Sequence, residues 1–189
     1  MTRIIAGQAR GRQLVVPPGA GTRPTSDRAR EGLFSSLDAR LHGLGGMRVI
    51  DAFAGSGAVG VEALSRGAAA ALMIETDPRA AEAIRTNLRT VGVPGGRLLT
   101  DRVEQVAAQD CAEAPYEVLF LDPPYALEAK ALGELIADFA RHGWLAESAL
   151  VCVERASRDP EFPWPEGFDP LRARKYGEGT LWYGHRREQ

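Results

Sequence analysis

The fold of this chain depends first on residues 48–60, which read RVIDAFAGSGAVG. A short apolar run ends at Asp51, and glycines follow at Gly55, Gly57 and Gly60. A buried strand that leads through a glycine-rich turn into a helix is typical of nucleotide-binding α/β units. Because glycine tolerates positive φ and has no Cβ, a ligand can approach such a turn closely. The segment therefore predicts a ligand site where the first core strand ends.

Two carboxylates indicate what kind of ligand this turn binds. The sequence GSGAVG also matches the dinucleotide fingerprint GxGxxG, so the turn alone leaves an NAD-dependent oxidoreductase open. Asp51 suits a ligand with a cationic amino-acid head and would sit poorly beside a pyrophosphate. Glu75, fifteen residues past Gly60, follows the next apolar run and can accept hydrogen bonds from two ribose hydroxyls. The alternatives for Glu75 are a role in capping the next helix and a solvated position without a ligand.

The chain alternates regularly between strand and helix patterns from Arg48 onward. Two C-terminal strands, near 170–175 and 179–185, complete the pattern. Five β/α units predict an α/β fold with a doubly wound, mostly parallel, seven-stranded sheet. We expect a core over 46–189, preceded by a basic hairpin and helix over 1–45. The core strands are expected near 48–52, 70–75, 97–100, 117–121 and 148–154, and the helices near 58–66, 78–91, 102–109 and 127–142.

The composition is that of an ordinary globular protein, with 189 residues, 44% hydrophobic and 25% charged. No apolar run approaches the roughly 20 residues that span a bilayer, and the N-terminus lacks the apolar stretch of a secretion signal. We therefore expect a cytoplasmic protein without a membrane partner. Cys111 and Cys152 lie far apart and form no CxxC or Cys/His cluster, so no metal site is expected.

The net charge of −2 conceals a basic N-terminus. Residues 1–30 contain six arginines and one acid, Asp27, which leaves the rest of the chain at −7. We expect the first two arginine-containing runs to form a β-hairpin, and a helix capped by Ser26 or Asp27 to follow, reaching Leu41. Such a surface can follow RNA phosphates, and a solvated edge is the alternative. The candidate RNA-binding residues are Arg3, Arg10, Arg12, Arg23, Arg28 and Arg30, the last two on the exposed side of the helix.

The segment LDPPY, residues 121–125, follows a strongly apolar strand and should meet the same sheet edge as the glycines. Its two prolines fix the backbone and remove two N–H donors. Carbonyl acceptors therefore remain beside the Asp122 carboxylate, which suits an incoming amino group with two donors. Tyr125 offers a flat face on which a base can stack, worth about 1–3 kcal/mol. The alternative is an ordinary turn from strand to helix.

Together, DAFAGSG, the acidic strand end and DPPY resemble the class I S-adenosylmethionine-dependent methyltransferases that modify exocyclic amino groups of bases. RIIAGQARGRQL, TRPTSDRAREGLFSSL, EALSRGA and KYGEGTLWY narrow the resemblance to the bacterial 16S ribosomal RNA guanine-N2 methyltransferases, the RsmD family. The resemblance covers almost the whole chain. It implies methylation of one guanine, conventionally guanine 966, in 16S rRNA of the assembled or assembling 30S particle, by a monomer.

The resemblance also implies roles for individual residues. Asp101 would face the adenine amino group, with Arg102 and Val103 beside the ring, although Asp101 could equally cap the helix that follows. The catalytic candidates are Asp122, Pro123, Pro124 and Tyr125. The candidates for S-adenosylmethionine binding are Asp51, Phe53, Gly55, Ser56, Gly57, Glu75, Asp101, Arg102 and Val103.

Two rivals to this function remain besides the oxidoreductase. A DNA adenine-N6 methyltransferase can share DPPY, but 189 residues leave little room for a target-recognition domain. A non-catalytic RNA-binding assembly factor could keep the same fold. The oxidoreductase would leave Asp51 and DPPY without a role.

Overall fold

The computed structural model describes residues 2–17 and 27–188 of the chain. Five helices and eight strands follow one another in these residues. The helices are α1 (Asp27–Leu41), α2 (Ala58–Ser65), α3 (Pro78–Val91), α4 (Val103–Ala107) and α5 (Ala129–Arg141). The strands are β1 (Arg48–Ala52), β2 (Ala70–Ile74), β3 (Gly96–Leu99), β4 (Tyr116–Leu121), β5 (Leu145–Ala156), β6 (Phe168–Pro170), β7 (Arg174–Tyr176) and β8 (Gly179–Arg186).

The strands form one sheet in the order β3-β2-β1-β4-β5-β8-β6, with β7 also paired to β8. The first five strands of this order are parallel, and β8 joins β5 in the antiparallel direction. The predicted doubly wound, mostly parallel sheet is therefore confirmed. The chain order reverses between β1 and β4, and ligands of such sheets bind where the strands at this reversal end.

The C-terminal edge of the sheet differs in detail from the prediction. The strand expected near 170–175 is present as two short strands, β6 and β7, which pair with the same edge of β8. Pro170 lies opposite Gly184, whereas Arg174 lies opposite Leu181, so one extra residue separates the two pairings. A β-bulge of this kind interrupts an edge strand, and Pro170 can occupy only an edge because it has no N–H to donate.

The hydrophobic interior is divided by the sheet. On one side, apolar residues of α4 and α5 such as Val106 and Ile136 pack on Ile50 and Leu119 of the central strands. On the other side, Leu33, Phe34 and Leu37 of α1 pack on the same strands, as their helical spacing predicts. The basic extension is thus joined to the core through α1.

The N-terminal segment, residues 2–17, packs on α2 and α3 through Ile4 and Leu14. It forms the predicted hairpin with a single antiparallel bridge, between Arg3 and Gln13, rather than with two full strands. Its turn lies close against the end of α2, since a Cβ on Gly7 would stand 1.8 Å from the Ser65 carbonyl oxygen.

Within residues 2–17 and 27–188, no helix combines the length and apolar composition needed to cross a bilayer. The same residues contain no cluster of acidic, histidine and cysteine side chains that could hold a metal ion.

Candidate active site

The glycine loop, residues 53–57, connects β1 to α2 and has the backbone that the glycines predict. Gly55 has φ of 55° and Gly57 has φ of 74°. A Cβ on Gly57 would stand 3.0 Å from Ile84, so this glycine is needed for packing beneath the loop. A Cβ on Gly55 would meet no atom within 4 Å, so the space above Gly55 is open. The loop therefore leaves room for a ligand directly against its backbone.

Phe53 opens the glycine loop in the left-handed region, with φ of 61°. A bulky residue rarely adopts this conformation, which costs of order 1–3 kcal/mol and persists only where surrounding structure enforces it. The ring is partly buried against the cluster on the α4 and α5 side of the sheet, which holds the residue in place. Such strain is concentrated at ligand sites, and Phe53 stands directly after β1.

Asp51 lies beneath the loop and is 2% exposed. Its Oδ2 accepts a hydrogen bond of 2.9 Å from the Gly60 amide in the first turn of α2. Burial raises the pKa of Asp51 well above its usual range; the Gly60 bond opposes this, and the charges of Asp122 and Glu75 add to it. These three carboxyl groups, from the ends of β1, β2 and β4, therefore act on one another at one edge of the sheet. A cationic group placed there would favour the ionised form of Asp51.

Glu75 joins the end of β2 to the glycine loop. Its Oε2 accepts from the Gly55 amide at 2.7 Å, and its Oε1 accepts from the Thr76 and Asp77 amides at 2.8 and 2.9 Å. The capping alternative for Glu75 is excluded, because Asp77 caps α3 by accepting from the amides of residues 79 and 80. A carboxylate held by three amides is oriented in advance, and one acceptor site, on Oε2, remains for a hydroxyl of a ligand.

The DPPY segment begins where β4 ends, beside the glycine loop. Leu121 pairs with Ala52, so Asp122 stands at the same sheet edge as Phe53. Asp122 is partly buried and Pro123 is buried, whereas Pro124 and Tyr125 are exposed. The Pro124 carbonyl accepts from the Leu127 amide at 2.9 Å and is committed to a turn. Two acceptors, the Asp122 carboxylate and the Pro123 carbonyl, thus stand near an aromatic ring that is 62% exposed.

The side chains of Asp101 and Arg102, which follow β3, contact neighbouring residues of their own segment. Asp101 is partly buried, and its Oδ1 accepts from the Arg102 amide at 2.7 Å. The N-cap of α4 is Arg102, which makes no side-chain capping bond, so the alternative that Asp101 caps this helix is not supported. The Arg102 side chain is exposed beside Glu104, and Val103 is buried. Contact of these residues with an adenine ring stays a prediction.

The arginine candidates divide into separate groups. Arg30 is a correction: it was predicted to be exposed, yet its side chain is fully buried, donates to the Arg3 carbonyl and pairs with Asp27 at 3.0 Å. Burial lowers the pKa of Arg30, and the charges of Glu62 and Asp27 oppose this effect. The guanidinium fastens α1 to the N-terminal segment and cannot reach a phosphate. Arg23 lies outside the described residues.

The other four arginines are exposed, but at different distances from the glycine loop. Arg10 lies in the hairpin turn against Ser65, the last residue of α2, so it is about one helix length, roughly 12 Å, from the loop. Arg12 donates to the Thr90 and Val91 carbonyls and closes the end of α3. Arg28 lies in the first turn of α1, and Arg3, which bridges Gln13 in the hairpin, is joined to that turn because its carbonyl accepts from Arg30.

Asn87, a fully buried residue of α3, was not among the predicted site residues. Its side chain donates to the Ser56 carbonyl in the glycine loop and is paired with the backbone of Val15. A polar residue between Ile84 and Val91 on the buried stripe of α3 was a usable signal, because buried amides are normally hydrogen-bonded.

The sequence profile of a family described as "Conserved hypothetical protein 95" matches residues 2–185. "Ribosomal RNA small subunit methyltransferase D" of Escherichia coli strain K12 is 41% identical over 152 residues, 80% of this chain and 73% of that protein. "Putative rRNA methyltransferase YlbH" of Bacillus subtilis strain 168 is 33% identical over 176 residues, 92% of this chain and 91% of that protein.

A solved structure, "Putative methyltransferase yhhF from Escherichia coli", superimposes with a TM-score of 0.86 at 37% identity. The match covers 100% of this chain and 99% of that one. The agreement includes the N-terminal segment and the C-terminal edge strands as well as the sheet.

Proposed function

The chain belongs to the "Conserved hypothetical protein 95" family, which includes the RsmD methyltransferases. We propose that it methylates N2 of one guanine in 16S rRNA. S-adenosylmethionine is the methyl donor, and the 30S particle or its assembly intermediate is the substrate. Guanine 966 is the target that the family resemblance implies. The proposal rests on the convergence of Asp51, Glu75 and Asp122 around an open glycine loop.

The residues present fit S-adenosylmethionine. Asp51 would face its ammonium group, with Ser56 and Gly57 beside its carboxylate, and Glu75 would accept from a ribose hydroxyl at its remaining acceptor site on Oε2. The open space above Gly55 is where the ligand can lie against the backbone. When bound, S-adenosylmethionine supplies an electrophilic methyl group on a cationic sulfur.

Asp122 and Pro123 would hold the guanine amino group. N2 is a poor nucleophile because its lone pair is delocalised into the ring. Accepting both N–H bonds at Asp122 Oδ and the Pro123 carbonyl favours a pyramidal nitrogen whose lone pair is turned toward the methyl group. Alignment of this kind can contribute roughly 7–11 kcal/mol, and no strong base is needed because the proton becomes acidic after transfer.

Tyr125 would stack on the base once it has left its neighbours in the RNA. Its ring is the most exposed large apolar side chain among the described residues. Extrusion of a base costs a few kcal/mol and is cheapest in a loop, and stacking on the ring offsets about 1–3 kcal/mol. Arg3 and Arg28 would contact phosphates beside the target.

Substitution of Asp122 by alanine tests the proposal. We expect Asp122→Ala to abolish transfer of labelled methyl to 30S particles that lack the modification, and to leave binding of S-adenosylhomocysteine within a few-fold of the wild type. Asp169→Ala is the matched control, because it removes an exposed aspartate of the edge strand β6 that pairs with Arg187 and belongs to no candidate site. Unchanged turnover in Asp122→Ala would contradict the proposed role.

A further inference from the structure

The N-terminal segment is attached along two helices by buried side chains. Glu62 of α2 accepts from the amides of Ile5 and Ala6 at 2.8 and 3.0 Å. Ser65, one turn further on, accepts from Ala9 at 3.0 Å and donates to the Ala6 carbonyl. Both attachments lie along α2, away from the glycine loop.

Asn87 makes an attachment of a different kind. Its Oδ1 accepts from the Val15 amide at 2.8 Å, and its Nδ2 donates to the Val15 carbonyl at 2.9 Å and to the Ser56 carbonyl at 2.8 Å. Both amide hydrogens are therefore used, and the side chain is 0% exposed. One rigid group thus fixes the N-terminal segment and the glycine loop relative to each other.

The two attached segments face different ligands under the proposed function. The glycine loop lies against the cofactor, and the N-terminal segment carries Arg3 toward the RNA. Displacement of Val15 would break two bonds of Asn87 and free its amide to turn away from Ser56. A ligand that holds either segment in place therefore favours the arrangement of the other, and such coupling acts equally in both directions.

We propose that Asn87 is a positioning residue that couples the docking of the N-terminal segment to the geometry of the glycine loop, so that cofactor and RNA bind cooperatively. The coupling between the two segments stands on the contacts of Asn87 alone. Only the identity of the second ligand, RNA, rests on the proposed function.

Amide hydrogen exchange with and without S-adenosylhomocysteine measures the coupling directly. In the wild type we expect the ligand to slow exchange about tenfold or more in residues 2–17 as well as in the glycine loop, since protection reports suppressed local opening. In Asn87→Ala the ligand should still protect the glycine loop, while protection of residues 2–17 falls to less than about twofold. Val15→Pro, which removes the amide that donates to Asn87 and keeps the Asn87 side chain itself, should give the same result in residues 2–14.

Ser65→Ala is the matched control, because it breaks a buried attachment of the same segment that does not reach Ser56. In this variant, amide exchange of residues 2–17 should be faster than in the wild type, and S-adenosylhomocysteine should still slow it. If Asn87→Ala and Val15→Pro transmit protection as fully as the wild type, or if the wild type transmits none, the proposal is overturned. Equal losses in Ser65→Ala and Asn87→Ala would also overturn it, since Asn87 would then be one structural attachment among several.

RNA binding provides the second readout. S-adenosylhomocysteine should tighten binding of an rRNA fragment containing the target by about fivefold or more in the wild type and in Ser65→Ala, but leave it unchanged in Asn87→Ala. Persistent coupling in Asn87→Ala would contradict the role of Asn87. RNA that fails to bind the wild type would instead contradict the proposed function, and the exchange experiment would still decide the coupling.

Discussion

The carboxyl group of Asp51 is buried beneath the glycine loop with one backbone hydrogen bond and two acidic neighbours. An ionised carboxylate in such a place costs free energy unless a cation approaches it. The proposed ligand supplies that cation in its ammonium group. We therefore expect Asp51 to reduce the stability of the unliganded protein and to increase its affinity for the proposed ligand.

Asp51→Asn should raise the unfolding temperature of the unliganded protein at neutral pH. The raised pKa of Asp51 in the folded state means that its favourable contribution is complete below the pKa of the unfolded carboxyl and is lost as pH rises through the folded pKa. The stabilisation by Asp51→Asn should accordingly vanish near pH 3 and grow toward neutral pH, by about 1.4 kcal/mol for each unit of raised pKa. Thermal unfolding across this pH range measures it.

The same variant should bind S-adenosylhomocysteine more weakly, since asparagine keeps an acceptor for Gly60 and offers no charge to an ammonium group. Titration calorimetry of both proteins supplies the comparison, and Glu82→Gln on the exposed face of α3 serves as a control for loss of a charge. A variant that is less stable at neutral pH, yet binds as tightly as the wild type, would contradict this account of Asp51.

Single residues also show what sequence patterns leave undetermined. Asp51, Gly55 and Glu75 were predicted to share the ligand site, and the structure brings them together, because strand ends and glycine turns have local signatures. Arg30 was misassigned because a charged residue in a first helical turn is normally solvated. Its burial depends on the carbonyl of Arg3, a partner far away in sequence.

Among the elements of the fold, α2 contacts both the candidate ligand site and the N-terminal segment. Its first turn supplies the Gly60 amide to Asp51, and Glu62 in its middle is fully buried and holds two amides of the N-terminal segment. Glu62 is also paired with Arg66 at 2.8 Å. The helix therefore connects the ligand site to the extension that precedes the core.

Glu62→Ala should lower the free energy of unfolding by about 3–5 kcal/mol, because it leaves two amides and a guanidinium without their buried acceptor. Denaturation by urea measures the loss. Glu82→Ala, which removes an exposed ion-pair partner of Arg85, should change stability by less than about 1 kcal/mol. Similar losses in the two variants would mean that Glu62 does not anchor the segment.

The bounds of the elements were predictable where a pattern repeats locally. The predicted ranges of β1 and α3 agree with the structure, because a short apolar run and a repeated helical pattern are local signals. The split between β6 and β7 was not predictable, because the one-residue bulge depends on pairing with β8. The single bridge of the N-terminal hairpin was not predictable either, because Glu62 and Ser65 of α2, far away in sequence, bind backbone groups of Ala6 and Ala9 beside its turn.

For the protein as a unit, the distribution of charge determines how it would approach RNA. Arg3 and Arg28 are exposed near the start of α1, whereas Arg10 lies at the far end of α2. Phosphates beside the target base should therefore be contacted by Arg3 and Arg28 more than by Arg10. The expected division into an extension over 1–45 and a core over 46–189 stays a prediction, although α1 shares the interior of the core.

RNA binding should weaken with salt, with a log–log slope that falls by about 0.7 for each phosphate contact removed on a single strand. Arg3→Ala combined with Arg28→Ala should reduce the slope by about 1.4, and Arg10→Ala by less than about 0.7. Filter binding of an rRNA fragment over a range of salt concentrations gives these slopes. A slope unchanged by the double substitution would favour a solvated edge over an RNA surface.

Transfer of labelled methyl from S-adenosylmethionine should be measured first, with 30S particles lacking the modification, naked 16S rRNA and genomic DNA offered in parallel. The proposed function predicts label in particle RNA, recovered as N2-methylguanosine after digestion. Label recovered as N6-methyladenine in DNA would contradict it, and so would the absence of label from every substrate while the cofactor remains bound.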